Sequence, residues 1–90
     1  MYQKVIFKGK VQGVAFRWTC RQYAQELGLL GTVQNLADGS VELHAVGSKD
    51  HLEQLISRLK GESGPGRVEE LLVDPQAQAP CTYSEFSIIP

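Results

Sequence analysis

Long apolar runs are missing from this chain. None of its 90 residues belongs to a stretch of membrane-spanning length, and the opening M-Y-Q-K-V lacks the apolar core of a signal peptide. A cytoplasmic location with no membrane partner is expected. Cysteine is sparse too. Cys20 and Cys81 have neither C-x-x-C spacing nor a His/Cys cluster beside them, and His44 and His51 lack partners at metal spacing, so no metal is expected. A disulfide between the two cysteines stays open. Neither charge is in excess: nine Lys and Arg against ten Asp and Glu leave a formal net charge of −1, whereas a general nucleic-acid binder shows a marked basic surplus. No internal repeat is visible.

What is present is ordinary globular material, 42% hydrophobic and 21% charged. The length suits a single domain over residues 1–90, with a core that is adequate rather than generous. A first strand covers Tyr2 to Lys8, with Val5 and Phe7 on one face and Lys4, Ile6 and Lys8 on the other. A helix follows from Phe16 or Arg17 to Leu27 and stops at Gly28. Thr32 to Leu36 and Ser40 to Val46 form a hairpin about Asp38-Gly39. Ser48 is the expected N-cap of a second helix, with Leu52, Leu55, Ile56 and Leu59 at i, i+3, i+4, i+7 and Gly61 as its stop. After a loop from Gly61 to Gly66, Arg67 to Val73 and Ser84 to Ile89 read as strands separated by the turn-rich Pro75 to Pro80. The order βαββαβ plus an additional C-terminal strand argues an α+β sandwich, two helices on one face of a largely antiparallel sheet.

Chemistry concentrates in two short blocks. Between the first strand and the first helix lies G-K-V-Q-G-V-A-F-R, Gly9 to Arg17. Glycines let backbone amides converge without a Cβ in the way, a helix start adds unpaired N–H donors, and the planar fork of Arg17 grips two oxygens at once. Such a segment is a cradle for phosphate. The same residues also suit a plain βα turn with Arg17 in water. The block lacks the order of a nucleotide P-loop and of a dinucleotide fold, so neither cofactor is implied. Lys8, Lys10, Arg17 and Arg21 gather enough local charge to attract a small anion.

The second block is G-T-V-Q-N-L-A-D-G-S-V, Gly31 to Val41. Asn35 stands inside a strand, where asparagine is disfavoured. It either hydrogen-bonds the backbone beside the hairpin or holds a water through a carboxamide that donates and accepts but does not titrate. Cys20 shares an apolar helix stripe with Tyr23, Ala24 and Leu27, as a small buried hydrophobe does; a thiolate one turn beyond Arg17 is the alternative.

Together, the two blocks and the amphipathic helix between them resemble the acylphosphatase family, in its order and spacing and over almost the whole chain. The resemblance implies a ferredoxin-like fold and hydrolysis of acyl phosphates to a carboxylate and inorganic phosphate. It carries phosphate binding to Arg17 and to the backbone of Gln12, Gly13, Val14, Ala15, Phe16 and Arg17, and water positioning to Asn35, leaving Arg17 and Asn35 as the catalytic pair. No metal or organic cofactor is implied, and the partners are a small acyl phosphate and inorganic phosphate, with no nucleic acid and a monomeric chain. Two departures stand out: Lys10 where many members have arginine, and Ala15 where many bacterial members have glycine. Both read as tuning of the site. The alternative is a ferredoxin-like regulatory module that binds a small anion without turning it over, in which Asn35 has no required role. An RNA-binding domain would need an aromatic platform that S-V-E-L-H-A-V does not supply, and a metallochaperone would need a cysteine pair on the first loop.

Overall fold

Alternating apolar residues carry the first strand into the middle of the sheet. In the computed structural model, which describes residues 1–13, 15–61, 64, 66–74 and 78–90, β1 (Tyr2–Lys10) buries Val5 and Phe7 completely. It pairs antiparallel with β3 (Val41–Val46) on one side and β4 (Arg67–Asp74) on the other. β2 (Leu30–Asn35) is antiparallel to β3, and β5 (Phe86–Ile89) joins β2 in parallel, giving the order β4-β1-β3-β2-β5. The sheet is therefore largely antiparallel, as expected, with one parallel edge.

The two helices, α1 (Phe16–Glu26) and α2 (Lys49–Lys60), bury residues at helical spacing: Phe16, Cys20 and Ala24 on one, Leu52, Leu55 and Leu59 on the other. These meet Val5, Phe7, Val33, Leu43 and Phe86 from one face of the sheet in a single cluster. Each fully buried Leu or Phe contributes about 1.5–3 kcal/mol, so this layer holds the fold together. A solvent-exposed pair, Arg58 to Glu26 at 3.1 Å, links the helices and adds about 0–1 kcal/mol. Ser48 caps α2 as expected, accepting from the His51 N–H at 3.2 Å.

Boundaries shift where tertiary contacts decide. β1 runs two residues further than its alternation suggests, to Lys10, because the register slips between Lys8 and Gly9 as it pairs with β4. Gly9 has φ 129°, and a Cβ there would lie 2.3 Å from the Arg67 carbonyl oxygen. Its glycine thus serves the approach of two strands rather than the anion cradle. The hairpin strands stop at Asn35 and resume at Val41, and β5 is shorter than expected, starting at Phe86. Gly61 ends α2 in an extended conformation, not the left-handed one a glycine stop usually takes. The expected Gly61–Gly66 and Pro75–Pro80 loops fall partly outside the described residues. Among the described residues no helix is long and apolar enough to cross a membrane.

Candidate active site

The loop after β1 turns on a positive-φ pair. Gly13 has φ 77°, and a Cβ added there would meet nothing within 4 Å, so that glycine is required by conformation rather than by crowding. Ala15 follows at φ 59°, ψ 26°, in the left-handed region, and is the N-cap of α1. A left-handed alanine has no side chain with which to cap a helix. α1 accordingly starts with no side-chain cap and no acidic residue in its first turn, while α2 has both Ser48 and Asp50. The first bond into α1 is from the Thr19 N–H to the Ala15 carbonyl at 3.0 Å, so the amides of Phe16, Arg17 and Trp18 precede it. The opening donors and the positive end of the helix dipole therefore have no capping side chain of the helix's own.

Two buried aromatics fix that helix start. Phe16 is 1% exposed and packs tilted against Phe7, ring centroids 5.3 Å apart, and Val11 is fully buried where the loop leaves β1. Arg17 then emerges half-buried, and its Nη1 donates to the Ile89 carbonyl of β5 at 3.2 Å. One of five guanidinium donors is used to aim the group, and the rest stay available.

These groups surround a pocket of about 200 Å³. Gly13, Ala15, Phe16 and Arg17 form one part of its lining and Asn35 another. Of the residues expected at the site, these five come together; Val14 lies outside the described residues. Asn35 is exposed at the end of β2, opposite Val41, and no described residue forms a hydrogen bond with its carboxamide. The hairpin backbone is served instead by other groups: the Asp38 carboxylate accepts from the Ser40 N–H at 3.0 Å and from its hydroxyl, which holds Asp38 below the usual carboxylate range. Asn35 is left facing the pocket with its donors and acceptor unspent.

Gln12, expected in the cradle, is not part of the pocket lining. Its carboxamide nitrogen donates to the Leu36 carbonyl at 2.9 Å and to the Ser40 carbonyl at 2.8 Å, tying the loop after β1 to the hairpin that carries Asn35. Sequence reasoning assigned only its backbone. Of the four cations near the loop in sequence, Arg17 alone lines the pocket; Lys8 sits near Asp38. Trp18, Val11 and Ile88 complete the lining. Ile88 gives no signal until β5 pairs with β2, but Trp18 does: it is apolar and lies off the buried stripe of its helix.

The cysteines play no part here. Cys20 is fully buried and Cys81 exposed, both free, and burial pushes the Cys20 thiol far above its ordinary range, which removes it as a thiolate nucleophile. Among the described residues, no group of three or more His, Cys, Asp or Glu side chains is arranged to hold a metal.

The acylphosphatase family profile matches residues 3–88. An acylphosphatase of Latilactobacillus sakei is 42% identical over 82 residues, covering 90% of this chain and 88% of its own. The crystal structure of the Bacillus subtilis acylphosphatase superposes with a TM-score of 0.86 at 32% identity, covering all of both chains. The solved structure of an acylphosphatase from Coxiella burnetii gives a TM-score of 0.85 at 37% identity, covering 98% of this chain and 90% of the other.

Proposed function

Because the chain belongs to the acylphosphatase family, we infer that it hydrolyses the carboxyl–phosphate bond of acyl phosphates, with Arg17 and Asn35 as its catalytic residues. The observation that supports this best is the convergence of Arg17, an uncapped helix start and an unengaged Asn35 on one small pocket. A mixed anhydride already has a good leaving group, so the protein must supply alignment and charge stabilisation rather than a strong acid. Arg17 and the backbone of the Gly13–Arg17 loop hold the phosphoryl oxygens and grip harder as charge moves onto them. Each lost donor of this kind costs about 100-fold or more in rate. Asn35 holds the attacking water in line with the departing carboxylate. No carboxylate, histidine or thiolate lines the pocket among the described residues, and the water proton passes to a phosphoryl oxygen of the substrate. Arg17 fills the electrostatic role that a metal clamp has in other phosphoryl transfers. The enzyme acts as a monomer in the cytoplasm, a setting that suits two free cysteines.

The test separates two kinds of defect. Arg17→Ala is expected to lose both turnover of a chromogenic acyl phosphate and binding of inorganic phosphate. Asn35→Ala should cut kcat by about 100-fold or more while phosphate, titrated by calorimetry, still binds with near-parent affinity. An active Asn35→Ala enzyme would remove the water-positioning role and leave a non-catalytic anion-binding module as the better account.

A further inference from the structure

Phosphate and water occupy only part of the pocket. Among the described residues, the lining that Arg17, the loop and Asn35 leave over is apolar: Val11, Phe16, Trp18 and Ile88. Val11 and Phe16 are core residues, 0% and 1% exposed, and form the floor. Trp18 is different. It is the chain's one tryptophan, 53% exposed, and stands off the Phe16–Cys20–Ala24 stripe by which α1 packs. Nothing in the helix packing calls for an indole there, yet half of a large apolar side chain is held in water beside the anion site.

Covalent geometry limits what it faces. In an acyl phosphate a single oxygen joins phosphorus to the acyl carbon, so phosphate on Arg17 leaves the acyl group inside the same cavity. The wall available to it is Trp18 and Ile88. Arg17 is the one charged residue among the described residues lining the pocket, so a second anionic group on the acyl part would meet no cation of its own. The pocket is small, about 200 Å³ against the about 300–1,000 Å³ of drug-sized sites, so what its walls can cover is one ring or a short branched chain.

We propose that Trp18 and Ile88 form the acyl subsite, and that the preferred substrates are acyl phosphates with a compact, uncharged, apolar acyl group. This rests on the acyl phosphate hydrolysis inferred above. Ligand binding there covers the exposed indole, and the preference is read as a ratio of kcat/KM values.

The experiment compares benzoyl phosphate with acetyl phosphate for the parent, Trp18→Ala, Trp18→Gln and Trp18→Phe, with inhibition by inorganic phosphate measured on each. The parent should favour benzoyl phosphate. Trp18→Ala and Trp18→Gln, both suited to an exposed helix position, should lose about tenfold of that preference. Trp18→Phe should retain most of it, and phosphate inhibition should be the same in all four. A preference that survives in Trp18→Ala and Trp18→Gln, or a parent that does not discriminate, overturns the acyl subsite while hydrolysis itself stands. A parent that turns over neither acyl phosphate overturns the hydrolytic reading instead.

Discussion

Ala15 holds a backbone conformation that L-residues avoid, in the lining of the pocket that Arg17 and Asn35 share. A left-handed alanine costs about 1–2 kcal/mol relative to a right-handed one, and glycine pays none of this. Against it, glycine gives the unfolded chain more freedom, worth about 0.4–1 kcal/mol. Ala15→Gly should therefore leave stability unchanged or raise it by up to about 1.5 kcal/mol, the reverse of an ordinary helix alanine. Urea unfolding beside Ala24→Gly on α1 checks this, and a loss of similar size at both positions would sink the strain argument. Residue-level reading of the sequence reaches as far as a residue's place in its own element. Arg17 at a helix start and Asn35 in a strand are anomalies visible without a fold, and the structure brings both to one pocket. That reach stops short of Gly9, whose positive φ is set by a strand that arrives almost sixty residues later.

At the scale of elements, the site is a junction between two pieces of chain, and Gln12 is the bolt. Its carboxamide spends both N–H donors on the Leu36 and Ser40 carbonyls, fixing the loop before α1 against the end of β2. Each such bond is worth about 0.5–1.5 kcal/mol net. Gln12→Ala should thus cost roughly 1–3 kcal/mol and lower kcat, as Asn35 and Arg17 lose their common reference. Gln12→Glu is the sharper variant: nearly the same shape, but an acceptor-only group facing two carbonyl oxygens. It should lose more kcat than Gln12→Ala at neutral pH, with inorganic phosphate still inhibiting because Arg17 keeps its Ile89 contact. A Gln12→Glu enzyme with parental kcat would show that the junction does not set the geometry. The elements themselves were legible from periodicity and capping; α2, from Ser48 to its last leucine, is the clearest case. The junction was not, because a hydrogen bond between residues 12 and 40 has no local signature.

Taken whole, the molecule is asymmetric across its sheet, and the difference governs its response to pH. One face is a dry aliphatic and aromatic core under two helices. The other carries polar groups: Tyr2 bonds and stacks with His44, whose other ring nitrogen meets Glu42, and Tyr83 approaches Thr32 and Cys81. Burial first, then the Cys81 hydrogen bond and the charges of Cys81 and Tyr2, push Tyr83 up to about 12 from 10.0; the Thr32 hydroxyl works the other way. Burial and the charges of Glu42, Asp74 and Cys81 raise Tyr2 as well. The folded protein thus keeps these protons at a pH where the unfolded chain has released them, so stability is fully present below pH 10 and falls as pH rises towards about 12. Asp38, held low by Ser40, works at the opposite end: its contribution is present above the ordinary carboxylate range and fades as pH falls below it. Urea midpoints should form a plateau through neutral pH and decline above pH 10. Tyr83→Phe, which has no proton to release, should flatten that decline without altering turnover at neutral pH, since Tyr83 is absent from the pocket lining. An alkaline decline of the same steepness in Tyr83→Phe would place the sensitivity elsewhere than on Tyr83.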